Sequence, residues 1–130
     1  MPWNFPIWQV LRLAIPTILA GNAVVLSHAP NTTGCALAIE SLCQKSTLMD
    51  GIFNTVVLDH ANIHKLIAHP DIAGVSFTGS TQTGRIIASS AGQSLKKTQL
   101  QAAVTTATVL NTALMNFPQL SRVFVLLCVL

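Results

Sequence analysis

The stretch from Gly74 to Ala88 constrains the fold more than any other part of this chain. It contains a short apolar run that ends at Phe77, then a glycine at position 79, and then residues suited to the first turns of a helix. A strand that ends at Gly79 and continues as a helix points several free backbone N–H groups, and the positive end of the helix, at one place. Such a place suits a phosphate group.

Individual residues in this stretch fit that chemistry. Gly79 places no side chain between the backbone and a ligand, and glycine also tolerates positive φ. Ser80 or Thr81 can cap the helix, and Gly84 permits close packing of it. The spacing alone is a weak signal, because the stretch is neither a P-loop, which needs a lysine, nor the usual dinucleotide fingerprint. A strand–helix turn without a ligand therefore stays open as an alternative.

The composition limits the partners that this chain can have. Of its residues 51% are hydrophobic and only 8% are charged, which is typical of a segment normally buried in a larger protein. The net charge of +3 comes without any basic run, so we expect no nucleic-acid partner. Arg12 and several prolines interrupt the apolar region before Val25, so we expect neither a secretory signal nor a membrane span there.

The cysteines and histidines do not predict a metal site. Cys35, Cys43 and Cys128 include no CxxC pair, which argues against a disulfide framework or a zinc site and indicates a reducing, cytoplasmic setting. His60 and His64 have the spacing of metal ligands on a helix, but no acidic partner accompanies them.

Alternating apolar patterns predict an α/β fold. The apolar stripe from Ile7 to Leu19 predicts a core-facing helix that contains Pro16 and ends at Gly21. Strands alternate with helices further along, which implies right-handed crossovers and a Rossmann-like parallel sheet with flanking helices. The predicted strands cover residues 23–26, 53–58 and 74–77 as parallel neighbours, and the helix from Ser80 should end at Gly92.

Three segments of the chain together resemble the aldehyde dehydrogenase superfamily. They are Pro2 to Pro6, Leu19 to Leu26 and Phe77 to Arg85, and their order and spacing agree with that family. The segments from Cys35 to Glu40 and from Ser94 to Thr98 are most similar to bacterial succinate-semialdehyde dehydrogenases. The resemblance ends at about residue 100.

The resemblance implies a domain division and a chemistry. Residues 1–100 would be part of an NAD(P)-binding domain, and residues 101–130 would be an unmatched apolar tail. Enzymes of this family use a cysteine thiolate, an asparagine amide that stabilises the oxyanion, hydride transfer to NAD or NADP, and a glutamate that activates water. Such enzymes are several times longer, so we interpret the chain as a fragment.

The same resemblance assigns roles to single residues. Asn4 stands at the position of the oxyanion asparagine, although a turn or N-cap residue before the first helix is the structural alternative. Trp3 would lie near the nicotinamide end of the cofactor. The residues that would lie at the diphosphate are Gly79, Ser80, Thr81 and Gly84.

Two departures from the family pattern argue against activity of this chain alone. By the resemblance Ser27 and His28 are candidate cofactor contacts, but Ser27 stands where the family has a lysine that contacts the adenosine ribose, so a charged contact is lost. Gln101 stands at the general-base glutamate, and an amide cannot accept the proton. Cys128 has no nearby base or cation to activate it, so we do not assign it as the nucleophile.

Two functions follow from these observations. The first is a fragment of an NAD(P)-dependent aldehyde dehydrogenase that binds NAD or NADP weakly and is inactive alone, since an aldehyde would be a substrate only of the full-length family. The alternative is a non-catalytic apolar interaction or membrane-associated protein, which the apolar tail favours. In either case, exposed apolar faces would permit association with a second copy or with full-length relatives.

Overall fold

The computed structural model describes residues 3–46, 50–102 and 123–127 of the chain. Within these ranges helices alternate with strands, and short 3-10 turns lead into the second and third helices. The elements are α1 (Trp8–Leu19), β1 (Ala23–Ser27), α2 (Thr33–Lys45), β2 (Phe53–Thr55), α3 (Ile63–Ala68), β3 (Ile72–Gly79), α4 (Thr81–Gln93), β4 (Lys97–Ala102) and β5 (Val123–Leu127).

The strands form one parallel sheet with the order β2-β1-β5-β3-β4. This confirms the predicted Rossmann-like parallel sheet with flanking helices. Strands β1 and β2 are direct neighbours, as predicted, whereas β3 is separated from β1 by β5. The sequence predicted neither β4 nor β5. Since β4 extends to Ala102 and β5 covers Val123–Leu127, the sheet includes parts of the segment beyond residue 100.

The register aligns the carboxyl ends of four strands along one edge of the sheet. Ser27 of β1 pairs with Leu127 of β5, Leu127 pairs with Phe77 of β3, and Phe77 pairs with Leu100 of β4. Neighbouring strands lie about 4.8 Å apart, so these four positions form a short row. In open parallel sheets ligands bind outside this edge, which is therefore where a functional site is expected.

Helix α1 confirms the helix predicted from the N-terminal apolar stripe. It contains Pro16, and the chain leaves it through Gly21, which has φ of 81°. The buried part of the stripe is narrower than predicted, since Val10 and Ala14 are buried while Leu19 is 82% exposed. The buried side chains of the stripe thus cover the sheet, while Ile7, Ile15 and Leu19 are exposed.

Two clusters of buried apolar side chains hold the layers together. The first joins α1 and α2 to β1 and β2, and it includes Val24 and Leu26. The second joins α3 and α4 to β3 and β5, and it includes Val75, Phe77 and Val125. Because side chains alternate between the two faces of a strand, Val24 and Leu26 belong to the first cluster, while Val25 between them packs against the second. Each face of the sheet therefore has its own core.

The ends of three elements differ from their predicted positions. Strand β2 covers only Phe53–Thr55, β3 continues to Gly79, and α4 runs through Gly92 to Gln93. The chain reverses after α4 at Leu95, which has φ of 52°. The Leu95 N–H donates to the Gly92 carbonyl at 3.0 Å, which closes the end of the helix. Gly92 is therefore part of the helix and not its stop.

Replacing Leu95 with glycine should stabilise the protein. Leu95 is the one described residue other than glycine with positive φ, and it is 93% exposed, so it has little packing to lose. Glycine removes the steric cost of the left-handed conformation, which outweighs its greater freedom in the unfolded chain. We expect a gain of about 0.5–1 kcal/mol in the free energy of unfolding, measured by urea denaturation.

The matched control is Leu42→Gly on α2, where leucine is 64% exposed and in a regular helical conformation. There glycine should destabilise the protein by about 1 kcal/mol, because it weakens a helix interior. Destabilisation by Leu95→Gly as well would contradict the proposed cost of the left-handed conformation.

None of the helices in the described ranges is long and apolar enough to cross a bilayer. In the same parts of the chain, no group of three His, Cys, Asp or Glu side chains lies together as metal ligands would. Cys128 lies outside the described residues.

Candidate functional site

The turn between β3 and α4 is built around the Ser80 side chain. Ser80 is the N-cap of α4, and its Oγ accepts a hydrogen bond from the Thr83 N–H at 3.2 Å. The same Oγ lies 2.9 Å from Oγ1 of Thr83. Of the two capping candidates from the sequence, Ser80 is thus the cap, and its hydroxyl is already used within the turn.

This arrangement leaves backbone donors at the start of α4. The first N–H groups of any helix have no partner within it, and here Ser80 satisfies only that of Thr83. The N–H groups of Thr81 and Gln82 therefore face away from the helix at its positive end. Both residues are exposed and follow the carboxyl end of a central strand. The turn has the donors and the position that a diphosphate requires.

Gly79 is required by the side chain beneath it. A Cβ atom at Gly79 would lie 2.5 Å from Cζ of Phe77, and one at Gly84 would lie 3.5 Å from Cε1 of the same ring. Positive φ occurs elsewhere among the described residues, at Gly21, Gly51 and Leu95, and not at Gly79. Gly79 therefore does not use the left-handed region that glycine tolerates, and the close approach of Phe77 is a physical reason for glycine at this position.

Trp3 and Asn4 lie in the turn before α1. The N-cap of α1 is Ile7, so of the two structural alternatives for Asn4 the turn is the correct one. Asn4 is exposed, and Trp3 is 56% exposed. Both side chains are thus accessible, and their contacts with a cofactor or an oxyanion stay predictions.

Ser27 and His28 stand at the carboxyl end of β1, and both are buried. Both ring nitrogens of His28 already bond to the protein: Nε2 lies 3.0 Å from the Pro6 carbonyl oxygen, and Nδ1 accepts from the Ala29 N–H at 2.9 Å. Nδ1 also lies 2.7 Å from Oγ1 of Thr32. A cofactor contact through these nitrogens, which the sequence predicts, would have to replace one of these bonds.

Two side chains donate hydrogen bonds to Gln101, and the sequence did not predict either contact. Its Oε1 accepts hydrogen bonds from the Arg12 guanidinium of α1 and from the Thr78 hydroxyl of β3, the latter at 3.4 Å. Because both partners donate, they fix the amide with its NH₂ group turned away from them. The position predicted for a general base therefore presents a donor. Only the alternation of side chains along β3 and β4 could have indicated the Thr78 contact.

The carboxyl edge of the sheet carries Ser27, Gly79 and Gln101 at the ends of β1, β3 and β4, and Arg12 reaches this edge from α1. A parallel sheet with flanking helices, in which a helix begins directly after an inner strand, is the arrangement of the class of Rossmann-like domains.

Within that class, the chain belongs to the aldehyde dehydrogenase family, whose family model matches residues 1–115. It is 43% identical over 101 residues to a succinate semialdehyde dehydrogenase [NAD(P)+] of Escherichia coli, a match that covers 78% of this chain and 22% of that protein. It is 41% identical over 100 residues to a succinate-semialdehyde dehydrogenase [NADP(+)] of Deinococcus radiodurans, of which the match covers 21%.

Solved structures of dehydrogenases are also similar to this chain. The succinic semialdehyde dehydrogenase of Streptococcus pyogenes in complex with NADP+ is similar with a TM-score of 0.76 and 35% identity, over 78% of this chain and 22% of that one. A putative methylmalonate-semialdehyde dehydrogenase of Sinorhizobium meliloti complexed with NAD is similar with a TM-score of 0.74 and 32% identity, over 78% and 21% of the two chains. The chain therefore spans about a fifth of the length of these relatives.

Proposed function

We propose that this chain is part of the cofactor-binding domain of an NAD(P)-dependent aldehyde dehydrogenase, an oxidoreductase whose full-length form acts on succinate semialdehyde or a similar aldehyde. The observation that carries the proposal is the β3–α4 turn, where Ser80 caps the helix and leaves two backbone N–H groups directed outward. The names of the relatives support the aldehyde, and their NADP+ and NAD complexes support the cofactor.

The proposed cofactor contacts follow the carboxyl edge of the sheet. The diphosphate would lie at Gly79 to Thr81, with Gly84 allowing α4 to approach, and Trp3 would lie near the nicotinamide end. At the adenosine end, Ser27 cannot supply the charged contact of a lysine, which typically contributes about 1.5–3 kcal/mol. We therefore propose weak binding of NAD or NADP.

Replacing Thr81 with proline tests the backbone donors directly. Thr81 is the first residue of α4, where proline is well tolerated, and the φ of −68° and ψ of 150° at Ser80 suit a residue before proline. The substitution removes one N–H group without breaking the helix. We expect the dissociation constant for NAD, measured by ligand-observed NMR, to rise by about tenfold or more.

The control is Thr81→Ala, which removes the side chain and keeps the N–H group. It should bind NAD as the unmodified chain does. Equal affinities of the proline and alanine variants, or no detectable binding of NAD by the unmodified chain at millimolar concentration, would refute the proposed phosphate site.

We also propose that the chain is inactive by itself. Asn4 could stabilise an oxyanion, but Gln101 cannot act as a base, and its Oε1 is already engaged by Arg12 and Thr78. Burial and then the nearby Glu40 raise the pKa of Cys43 on α2, which disfavours a reactive thiolate.

Steady-state assays with NAD and succinate semialdehyde should therefore give no NADH above the rate without protein. Without a thiolate nucleophile there is no acyl-enzyme route, however well the cofactor is positioned. Sustained NADH formation by the purified chain would show that a nucleophile is present, and Cys128→Ala would then be the next variant to measure.

Membership of the aldehyde dehydrogenase family favours the enzyme fragment over the non-catalytic apolar protein. We propose a cytoplasmic location and an association of exposed apolar residues, including Trp8 and Leu19, with further parts of the family's chain or with a second copy. Size-exclusion chromatography of the purified chain would test self-association.

A further inference from the structure

We propose that His28 is a positioning residue whose imidazole clamps the segment 3–6, which carries Asn4, to the carboxyl end of β1. This inference deepens the proposed function, because the clamp matters for chemistry only if Asn4 serves the proposed site. It gives His28 a role different from the cofactor contact that its sequence position suggests.

The ring of His28 joins three parts of the chain. On one side Nε2 reaches the carbonyl oxygen of Pro6 at 3.0 Å, in the turn before α1. On the other side Nδ1 meets the Ala29 N–H at 2.9 Å and the Thr32 hydroxyl at 2.7 Å, at the start of the turn into α2. The side chain is only 8% exposed, so solvent competes little for these bonds.

The partners fix the protonation state of the ring. A carbonyl oxygen can only accept, so Nε2 must carry the hydrogen that it donates to Pro6. A backbone N–H can only donate, so Nδ1 must have its lone pair free to accept from Ala29. The bonds on both sides of the ring together therefore require the neutral imidazole with its hydrogen on Nε2, whereas the bond to Pro6 alone requires only that hydrogen.

Segment 3–6 has little else to hold it on the sheet. The side chains of Trp3 and Phe5 are each 56% exposed, and Asn4 is exposed as well. The Phe5 carbonyl accepts only from the nearby Gln9 N–H, at 3.3 Å. Within the described ranges, the bond from His28 is the hydrogen bond that joins this segment to the sheet. The position of Asn4 thus depends on a bond two residues away.

The contacts of Nδ1 should also respond to pH, because protonation of Nδ1 removes the lone pair that accepts from Ala29. Burial lowers the pKa of His28 below 6.5, the hydrogen bond to Pro6 opposes that shift, and the positive amino terminus adds to it. The packed neighbours in segment 3–6, at the end of β1 and in the turn 30–32 include no acidic or basic side chain. The stabilisation from the neutral ring is full above pH 6.5 and is lost as the pH falls from there through the pKa of folded His28.

Two isosteric variants separate the two sides of the ring. Asparagine places its amide near the position of Nδ1, so His28→Asn keeps the contacts with Ala29 and Thr32 and loses the hydrogen bond to the Pro6 carbonyl. Glutamine places its amide NH₂ near Nε2, so His28→Gln keeps the bond to Pro6. The measurement is the backbone ¹⁵N order parameter of Asn4 in the full 130-residue chain without NAD.

We expect the order parameter of Asn4 to fall from about 0.85 to below about 0.6 in His28→Asn and to stay high in His28→Gln. His64→Asn on α3 is the control and should leave Asn4 unchanged, because His64 is exposed and remote in sequence from this segment. An unchanged order parameter in His28→Asn, or an equal loss in both His28 variants, would overturn the proposal.

The unmodified chain gives an independent test that does not depend on how the variants fold. As the pH is lowered, a proton on Nδ1 breaks the bond from the Ala29 N–H, whereas Nε2–H still donates to Pro6. Along the titration curve of His28, followed by its ring proton signals, the order parameter of Asn4 should therefore stay high while that of Ala29 falls. A fall at Asn4 that follows the titration would overturn the assignment of the Pro6 bond as the contact that holds this segment. These order parameters are measured without NAD, so they do not depend on whether the Thr81 variants bind NAD. A negative result for His28 would likewise not change the conclusion about the phosphate turn.

Discussion

Replacing Phe77 with alanine should remove about 3–5 kcal/mol from the free energy of unfolding, the usual cost of deleting a buried phenylalanine. Phe77 is fully buried, and its ring packs in the second core cluster and lies against Gly79 and Gly84. Total stability of a small domain is only about 5–15 kcal/mol, so most of it would be lost. Urea denaturation followed by circular dichroism at 222 nm measures the change.

The control is the same substitution at Phe5, whose side chain is 56% exposed. Phe5→Ala should change the free energy of unfolding by no more than about 0.5 kcal/mol, as is usual for surface positions. A Phe77→Ala variant as stable as Phe5→Ala would mean that the ring of Phe77 does not hold β3 to α4.

Gly79→Val should both destabilise the fold and abolish NAD binding. Even the first carbon of the new side chain would lie 2.5 Å from the Phe77 ring, which is fully buried. Overpacking of this kind typically costs about 1–3 kcal/mol. The displaced strand end would also move the N–H groups of Thr81 and Gln82. Denaturation and NAD titration should show the two losses together.

Gly34→Val on α2 is the matched control, because nothing lies within 4 Å of a Cβ atom at Gly34. It should leave both stability and NAD binding nearly unchanged, and valine even has the better helix propensity. Normal NAD binding by a folded Gly79→Val variant would contradict the role assigned to the turn.

Local sequence patterns were sufficient to predict those helices, strands and turns whose apolar or glycine residues are close together in the sequence. The apolar stripe identified α1, and the short apolar run after Gly21 identified β1. The Gly79 to Gly84 spacing identified the turn between β3 and α4. It did not identify the reason for glycine, because the collision with Phe77 depends on how the ring folds back over the strand end.

Features that depend on distant partners could not be predicted in this way. The polar strand β4 has an edge position in the sheet, where burial leaves no clear pattern. An apolar run such as Val123–Leu127 is consistent with many structures, and its place beside β1 is a property of the whole sheet. The bond between His28 and Pro6 likewise joins residues 22 positions apart, which no local spacing encodes.

The central place of β5 also has a kinetic consequence. Until the chain has been synthesised through Leu127, strands β1 and β3 each have an unpaired edge, and the two core clusters are not joined by the sheet. Closing the sheet then brings β5 beside β1, about a hundred residues earlier in the chain, and such long-range pairing is slow because of its loop-closure entropy. During translation the unpaired edges of β1 and β3 are therefore exposed together from the synthesis of Gly79 until β5 docks, an interval in which chaperone binding and aggregation are favoured.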